Sequence, residues 1–166
     1  MTPHSEKQIA LRIVRGANKI LKNKYKRTGT RIDHLKKFGE TVTAVDGMVN
    51  DYYIRELKKS FPDFDIVSEE AHMIDRPGTK QWYVDPLDGT TNFSYGFTEF
   101  ATLLGQTDGD HITAGYTGIP LLNEIYWAQK GKGAWVGNKR LHVSTTRSLK
   151  RSMAMFCAGY SPRGRR

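Results

Sequence analysis

Apolar side chains recur at helical spacing early in the chain and at strand spacing later. Ile9, Ile13, Ala17, Ile20 and Leu21 share one helical face opposite Lys and Arg, which predicts an amphipathic helix over Ser5 to Lys24. Lys22, Lys24, Lys26, Arg27 and Arg31 then crowd around Tyr25 and a Thr-Gly-Thr turn. A solvated surface loop is expected there, with a nucleic-acid contact as the weaker reading. Lys36 to Glu40 reads as a mobile segment before the short β-like stretch Thr41 to Val45. Asp46 stands where a helix cap belongs, and Val49, Tyr53, Ile54 and Leu57 make one apolar face of a helix over Gly47 to Ser60.

After the Pro62-Asp63 turn the pattern changes. Phe64 to Val67 predicts a strand ending in Ser68-Glu69-Glu70, and Ala71 to Lys80 a connecting loop that carries a lone His72. Gln81 to Val84 suits a short buried strand that stops at Asp85, because Pro86 has no N–H to continue a ladder. Phe100 to Gln106, His111 to Thr117, Glu124 to Gln129, Ala134 to Val136 and Arg140 to Val143 follow as strands, separated by turn signals at Thr107-Asp108-Gly109-Asp110, Ile119-Pro120 and Lys130 to Gly133. These make a β-meander. The apolar run Met153 to Ala158 predicts one more strand, and Tyr116, Tyr126, Trp127 and Trp135 are expected to pack in the core or on a sheet face. Helices first and antiparallel strands afterwards predict a layered α+β domain.

Composition narrows the setting. At 166 residues, 38% hydrophobic and 26% charged, the chain suits one soluble globular domain, and its net charge of +9 favours anionic partners. The single Cys157 excludes an intrachain disulfide framework, and with no repeated Cys/His pattern for structural zinc a reducing cytoplasm is the expected compartment. Met1 to Lys7 is polar and no apolar run approaches about 18 residues, so neither a signal peptide nor a membrane span is expected.

The chemistry concentrates in Trp82 to Phe93, WYVDPLDGTTNF, where Asp85 and Asp88 flank a predicted strand end. Gly89, Thr90, Thr91 and Asn92 follow, small and hydrogen-bonding residues that open a helix or turn and leave N–H groups for an anion. Two carboxylates this close repel unless a cation joins them, and hard oxygen ligands favour Mg²⁺ or Mn²⁺ over zinc. Glu69 and Glu70 end the preceding strand, so two strand ends present acids to one crevice. A metal beside an anion cradle points to phosphate.

At these residues the chain resembles the inositol monophosphatase family. The family hallmark Asp-Pro-(Ile/Leu)-Asp-Gly-(Thr/Ser)-x-Asn-Phe is matched by Asp85-Pro86-Leu87-Asp88-Gly89-Thr90-Thr91-Asn92-Phe93. The likeness extends through Val42 to Asp46, Ile66 to Glu70 and Lys130 to Trp135, from about residue 8 to 160. It implies a layered α/β sandwich, N-terminal helices on a largely antiparallel sheet, as one domain over residues 1–160 with a basic tail at 161–166. Family members carry a further Trp-Asp motif in a C-terminal half, and no such motif occurs here. An N-terminal portion without the C-terminal layers is therefore expected.

The resemblance also implies roles. Glu69, Asp85 and the Leu87 carbonyl hold a first Mg²⁺, and Asp85 and Asp88 a second that is weakened without the C-terminal Asp. A third, weaker ion lies near a loop matching Lys36 or Lys37 and Glu40. Asp46 and Thr90 orient the attacking water, Glu70 assists, and Leu87, Asp88, Gly89 and Thr90 contact the substrate phosphate. The implied activity is Mg²⁺-dependent hydrolysis of a small phosphorylated substrate, inositol 1-phosphate first, by a homodimer. A fructose-1,6-bisphosphatase or dual-specificity sugar phosphatase is the near alternative. From another class, a catalytically incomplete module could bind RNA or an acidic protein through basic clusters at Lys22 to Arg31, Leu149 to Arg151 and Arg163 to Arg166.

Overall fold

The computed structural model describes residues 3–27, 32–35, 41–70 and 79–155. Two helices lie on one face of a seven-stranded sheet. Helix α1 spans Pro3–Arg27, and α2 spans Ala44–Ser60. A two-stranded ribbon of β1 (Ile32–Leu35) and β2 (Thr41–Thr43) separates them in sequence. The main sheet contains β3 (Asp65–Ser68), β4 (Lys80–Asp88), β5 (Ala101–Asp108), β6 (His111–Ile119), β7 (Glu124–Gln129), β8 (Gly133–Val136) and β9 (Lys139–Leu141), arranged in chain order. Strands β3 and β4 are parallel; every later pair is antiparallel, giving the expected meander and α+β class.

Alternation decides which sheet face meets the helices. On β5, Thr102, Leu104 and Gln106 are buried, and on β6 Ala114, Tyr116 and Gly118 continue that face under α1. Ile13, Val14 and Leu21 of α1, Val49, Tyr53 and Leu57 of α2 and Trp82 of β4 fill the layer between, all without solvent exposure. Trp82 packs against Phe61, Phe64 and Tyr116 with ring centroids 5.0, 5.9 and 6.4 Å away. At about 25 cal/mol per Å², burying rings of this size is a large favourable contribution to folding. The opposite sheet face carries Tyr83, Leu103, Thr117, Tyr126 and Leu141, with no described helix over it.

Several expectations are corrected. The segment from Lys22 is helical as far as Arg27, not a loop, because Tyr25 anchors it: its ring lies 5.8 Å from Phe93 and 5.2 Å from Phe100, and its hydroxyl donates to the Gly96 carbonyl at 2.8 Å. Helix α2 begins at Ala44, so Asp46 is a buried first-turn residue and not the cap, since Val45 is itself drawn into the core. Strand β4 does not stop at Asp85 but runs to Asp88. Of the strand expected over Met153 to Ala158, Met153 to Met155 form none and both methionines are exposed, while residues 156–158 lie outside the described residues. Lys36, Lys37, Glu40, His72, Cys157 and the tail lie outside the described residues. Among the described residues no helix is long and apolar enough to cross a membrane.

Candidate functional site

Strand β3 ends at Ser68 alongside β4, which runs on to Asp88. Their parallel register pairs Ser68 with Val84, and the Glu69 N–H donates to the Val84 carbonyl at 3.1 Å. One further step of that register puts Glu69 beside Asp85. The third acid depends on an irregularity. In a regular strand residues three apart point to opposite faces. Here Asp85 pairs with Leu103 and Asp88 with Ala101, so three steps on β4 match two on β5. That β-bulge restores the parity and returns Asp88 to the face of Asp85, the one away from the helices. Pro86 sits inside the bulge, where no ladder bond is required of it, which is why the strand continues past a residue that ordinarily ends one.

Helix α2 supplies a polar stripe beneath these strand ends. Asp46, Asn50 and Tyr53 follow one another at helical spacing, and all three are buried. The Ser68 hydroxyl donates to Asn50 Oδ1 at 2.6 Å and accepts from the Glu70 N–H at 3.4 Å, so α2 fixes the backbone on either side of Glu69. The Thr102 hydroxyl lies 2.9 Å from that of Tyr53 and 3.3 Å from the Asp85 carbonyl oxygen. A carbonyl only accepts, so Thr102 donates to Asp85 and Tyr53 donates to Thr102. Burial pushes the Tyr53 phenol well above its ordinary range, which keeps that proton in place. Neither Asn50, Ser68 nor Thr102 stands out in the sequence; the available signal was the spacing of Asp46, Asn50 and Tyr53 along one otherwise apolar helix face.

Beyond Asp88 the chain turns on Gly89, whose φ of 81° is left-handed. A Cβ there would come within 2.7 Å of the Glu99 carbonyl oxygen, so the position admits glycine alone without a backbone shift. The short helix α3, Thr90–Ser94, starts immediately after. The Thr90 hydroxyl donates to the Leu87 carbonyl at 2.8 Å, and the Leu87 N–H donates to Asp85 Oδ1 at 3.1 Å, so the Asp85–Thr90 segment is tied to itself. Strand β2, which leads directly into α2 and Asp46, touches α3.

Of the residues singled out in the sequence, the fold brings Glu69, Asp85, Asp88, Leu87, Gly89 and Thr90 to one end of β3 and β4, with Glu70 on the adjoining turn and Asp46 under them. Glu69 and Asp88 are exposed, whereas Asp85 and Glu70 are half-buried. Among the described residues no group of three or more His, Cys, Asp or Glu side chains converges as a ready-made metal cluster. The donor chemistry nonetheless fits a hard cation: carboxylates from two neighbouring strands and a backbone carbonyl, all oxygen donors.

Comparison with known proteins shows the family and the fold. The model of the inositol monophosphatase family matches residues 3–166. The chain is similar to the fructose-1,6-bisphosphatase/inositol-1-monophosphatase of Thermotoga maritima, 34% identical over 72% of this chain and 47% of that protein. It is also similar to the inositol-1-monophosphatase of Caulobacter vibrioides, 38% identical over 69% and 46%. The solved structure of extragenic suppressor protein suhB from Bartonella henselae superposes with a TM-score of 0.81 at 28% identity, over 87% of this chain and 57% of that one. The chain thus spans about half the length of the curated relatives it matches.

Proposed function

The chain belongs to the inositol monophosphatase family, and from that premise we propose that it serves the Mg²⁺-dependent hydrolysis of a phosphate monoester, with inositol 1-phosphate as the first candidate. The observation that carries the reading is the bulge that returns Asp88 to the face of Asp85, beside Glu69 on the adjacent parallel strand end. In this reading Glu69, Asp85 and the Leu87 carbonyl hold a first Mg²⁺, and Asp85 and Asp88 hold a second. Bound Mg²⁺ supplies positive charge against the phosphoryl oxygens and makes water a better nucleophile at neutral pH.

The chain's own residues do the rest. Asp46 and Thr90 orient the attacking water, and Thr90 is itself held by its bond to Leu87. The N–H groups of Gly89 and Thr90 open a helix, have no intrahelical acceptor, and cradle the phosphate. Glu70, steadied through Ser68, assists from the second turn position. Hydrolysis of phosphate monoesters is extremely slow unaided, so orientation and charge stabilisation together must supply the rate. The active species in this reading is a cytoplasmic homodimer.

The name of the Thermotoga maritima relative favours a second reading, in which fructose 1,6-bisphosphate is also a substrate. Phosphate release from inositol 1-phosphate and from fructose 1,6-bisphosphate, measured across a Mg²⁺ titration with Asp85→Asn as control, tests both. Release that needs Mg²⁺ and Asp85 supports the function, and the preferred substrate chooses between the readings. No release from either by the folded chain argues against it.

A further inference from the structure

At the opposite edge of the sheet from β3 and β4, a groove of about 860 Å³ runs between α1 and strands β7 to β9. Lys7, Arg15, Lys19 and Lys22 enter it from α1 and Lys139 from β9, against one acid, Glu124. That carboxylate already accepts the Tyr126 hydroxyl at 2.9 Å. None of the five cations forms an ion pair among the described residues. Two are instead held in place by neutral groups: Lys22 Nζ donates to Asn123 Oδ1 at 2.8 Å, and Lys7 Nζ lies 4.5 Å above the Trp127 ring. Five like charges facing one concave surface repel one another, and an anion is what relieves that repulsion.

The spacing indicates which anion. From Lys7 to Lys22, at about 1.5 Å per residue, α1 runs about 22 Å. A single phosphate meets one or two of these side chains; an extended polyphosphate backbone meets them all. Gln8, Asn23 and Asn138 add neutral donors and acceptors along the same groove, suited to sugars and base edges in no fixed order. The Trp127 ring is covered by Lys7 and lies against Trp135 at 5.7 Å, so base stacking is not the main source of affinity. We propose that the groove between α1 and β7–β9 binds a single strand of nucleic acid through its phosphates, with little sequence preference. The site is separate from the phosphatase centre and does not depend on it.

The test is fluorescence anisotropy of the full chain with a labelled oligouridylate about 12 nucleotides long, within the range of single-strand site sizes. Five phosphate contacts give a slope of log K against log salt of about −3.5, at about −0.7 per contact. Arg15→Ala/Lys19→Ala, both exposed on α1, is expected to weaken binding about tenfold and to make the slope shallower by about 1.4. Lys58→Ala/Lys59→Ala removes the same charge from the exposed end of α2 and is expected to leave the slope unchanged, as is Asp85→Asn. Circular dichroism checks that each variant is folded. Oligothymidylate in place of oligouridylate separates ribose from deoxyribose recognition, and binding of either strand supports the site. Equal losses in the two lysine-bearing variants, a slope insensitive to Arg15 and Lys19, loss of binding with Asp85→Asn, or binding of inorganic polyphosphate without either oligonucleotide overturns it.

Discussion

The hydroxyls of Tyr53 and Thr102 meet 2.9 Å apart, both side chains fully buried, and their hydrogen bonds end on the backbone carbonyl of Asp85. A helix on one side of the sheet thereby fixes the carbonyl of an acid whose side chain belongs to the other face. Tyr53→Phe removes one hydroxyl and leaves Thr102 still bonded to Asp85, so a loss of about 1 kcal/mol is expected. Thr102→Val strips the partner from both the phenol and the carbonyl and is expected to cost about 2 kcal/mol or more. The double variant is expected to cost less than the sum, because no buried hydroxyl is left unmatched. Chemical denaturation of the three variants measures this.

Gly89→Ala forces a side chain onto a φ of 81° and toward the Glu99 carbonyl oxygen, 2.7 Å from the new Cβ. The left-handed conformation alone costs roughly 1–2 kcal/mol, and the contact adds to it. Stability is expected to fall by more than that amount. Phosphate release is expected to fall further than stability explains, since the N–H groups of Gly89 and Thr90 shift with the turn.

Alkali is expected to loosen the fold above pH 10. Burial, with a smaller push from the Glu6 carboxylate, raises the Tyr116 phenol to about 12, and burial raises Tyr53 as well. The folded chain therefore holds these protons more tightly than the unfolded chain, whose tyrosines titrate near 10. Their stabilisation is complete below pH 10 and is lost as pH rises toward 12. From pH 9 to pH 11, Tyr116 alone accounts for about 1 kcal/mol. Denaturation at the two pH values, with Tyr116→Phe removing part of the difference, checks the sign.

Magnesium is expected to raise the thermal midpoint of the wild-type chain, because a ligand bound only by the folded state stabilises it by about 1.4 kcal/mol at ten times its Kd. Asp85→Asn is expected to abolish the shift. Asp88→Asn, which alters only the second position, is expected to reduce it. A chelator reverses the effect in the wild type and does nothing to Asp85→Asn.

Much of this architecture is legible in the sequence because periodicity reports which face is buried. The α1 stripe, the β5 to β9 meander and the end of β3 just before Glu69 all follow from local pattern. What local pattern misreads are positions governed by distant partners. Pro86 signals a strand end, and only the register with β5 reveals a bulge that absorbs it. The basic run at Lys22 signals a loop, and only Phe93 and Phe100 reveal what holds Tyr25 in a helix. Asn50, Ser68 and Thr102 are ordinary polar residues until α2 is laid across β3, β4 and β5. The chemistry was carried by residue types, its support by contacts between residues far apart in the chain.

The order of the strands has a consequence for how the molecule is made. From β4 to β9 each strand pairs with its neighbour in the chain, so the sheet can grow hairpin by hairpin at little loop-closure cost. Helix α1 is different: it rests on β5, β6 and β7, and the Asn18 side chain donates to the Glu124 carbonyl 106 residues away. Helix α1 thus leaves the ribosome well before the strands it packs on, and its docking is the step at which folding rate and aggregation compete.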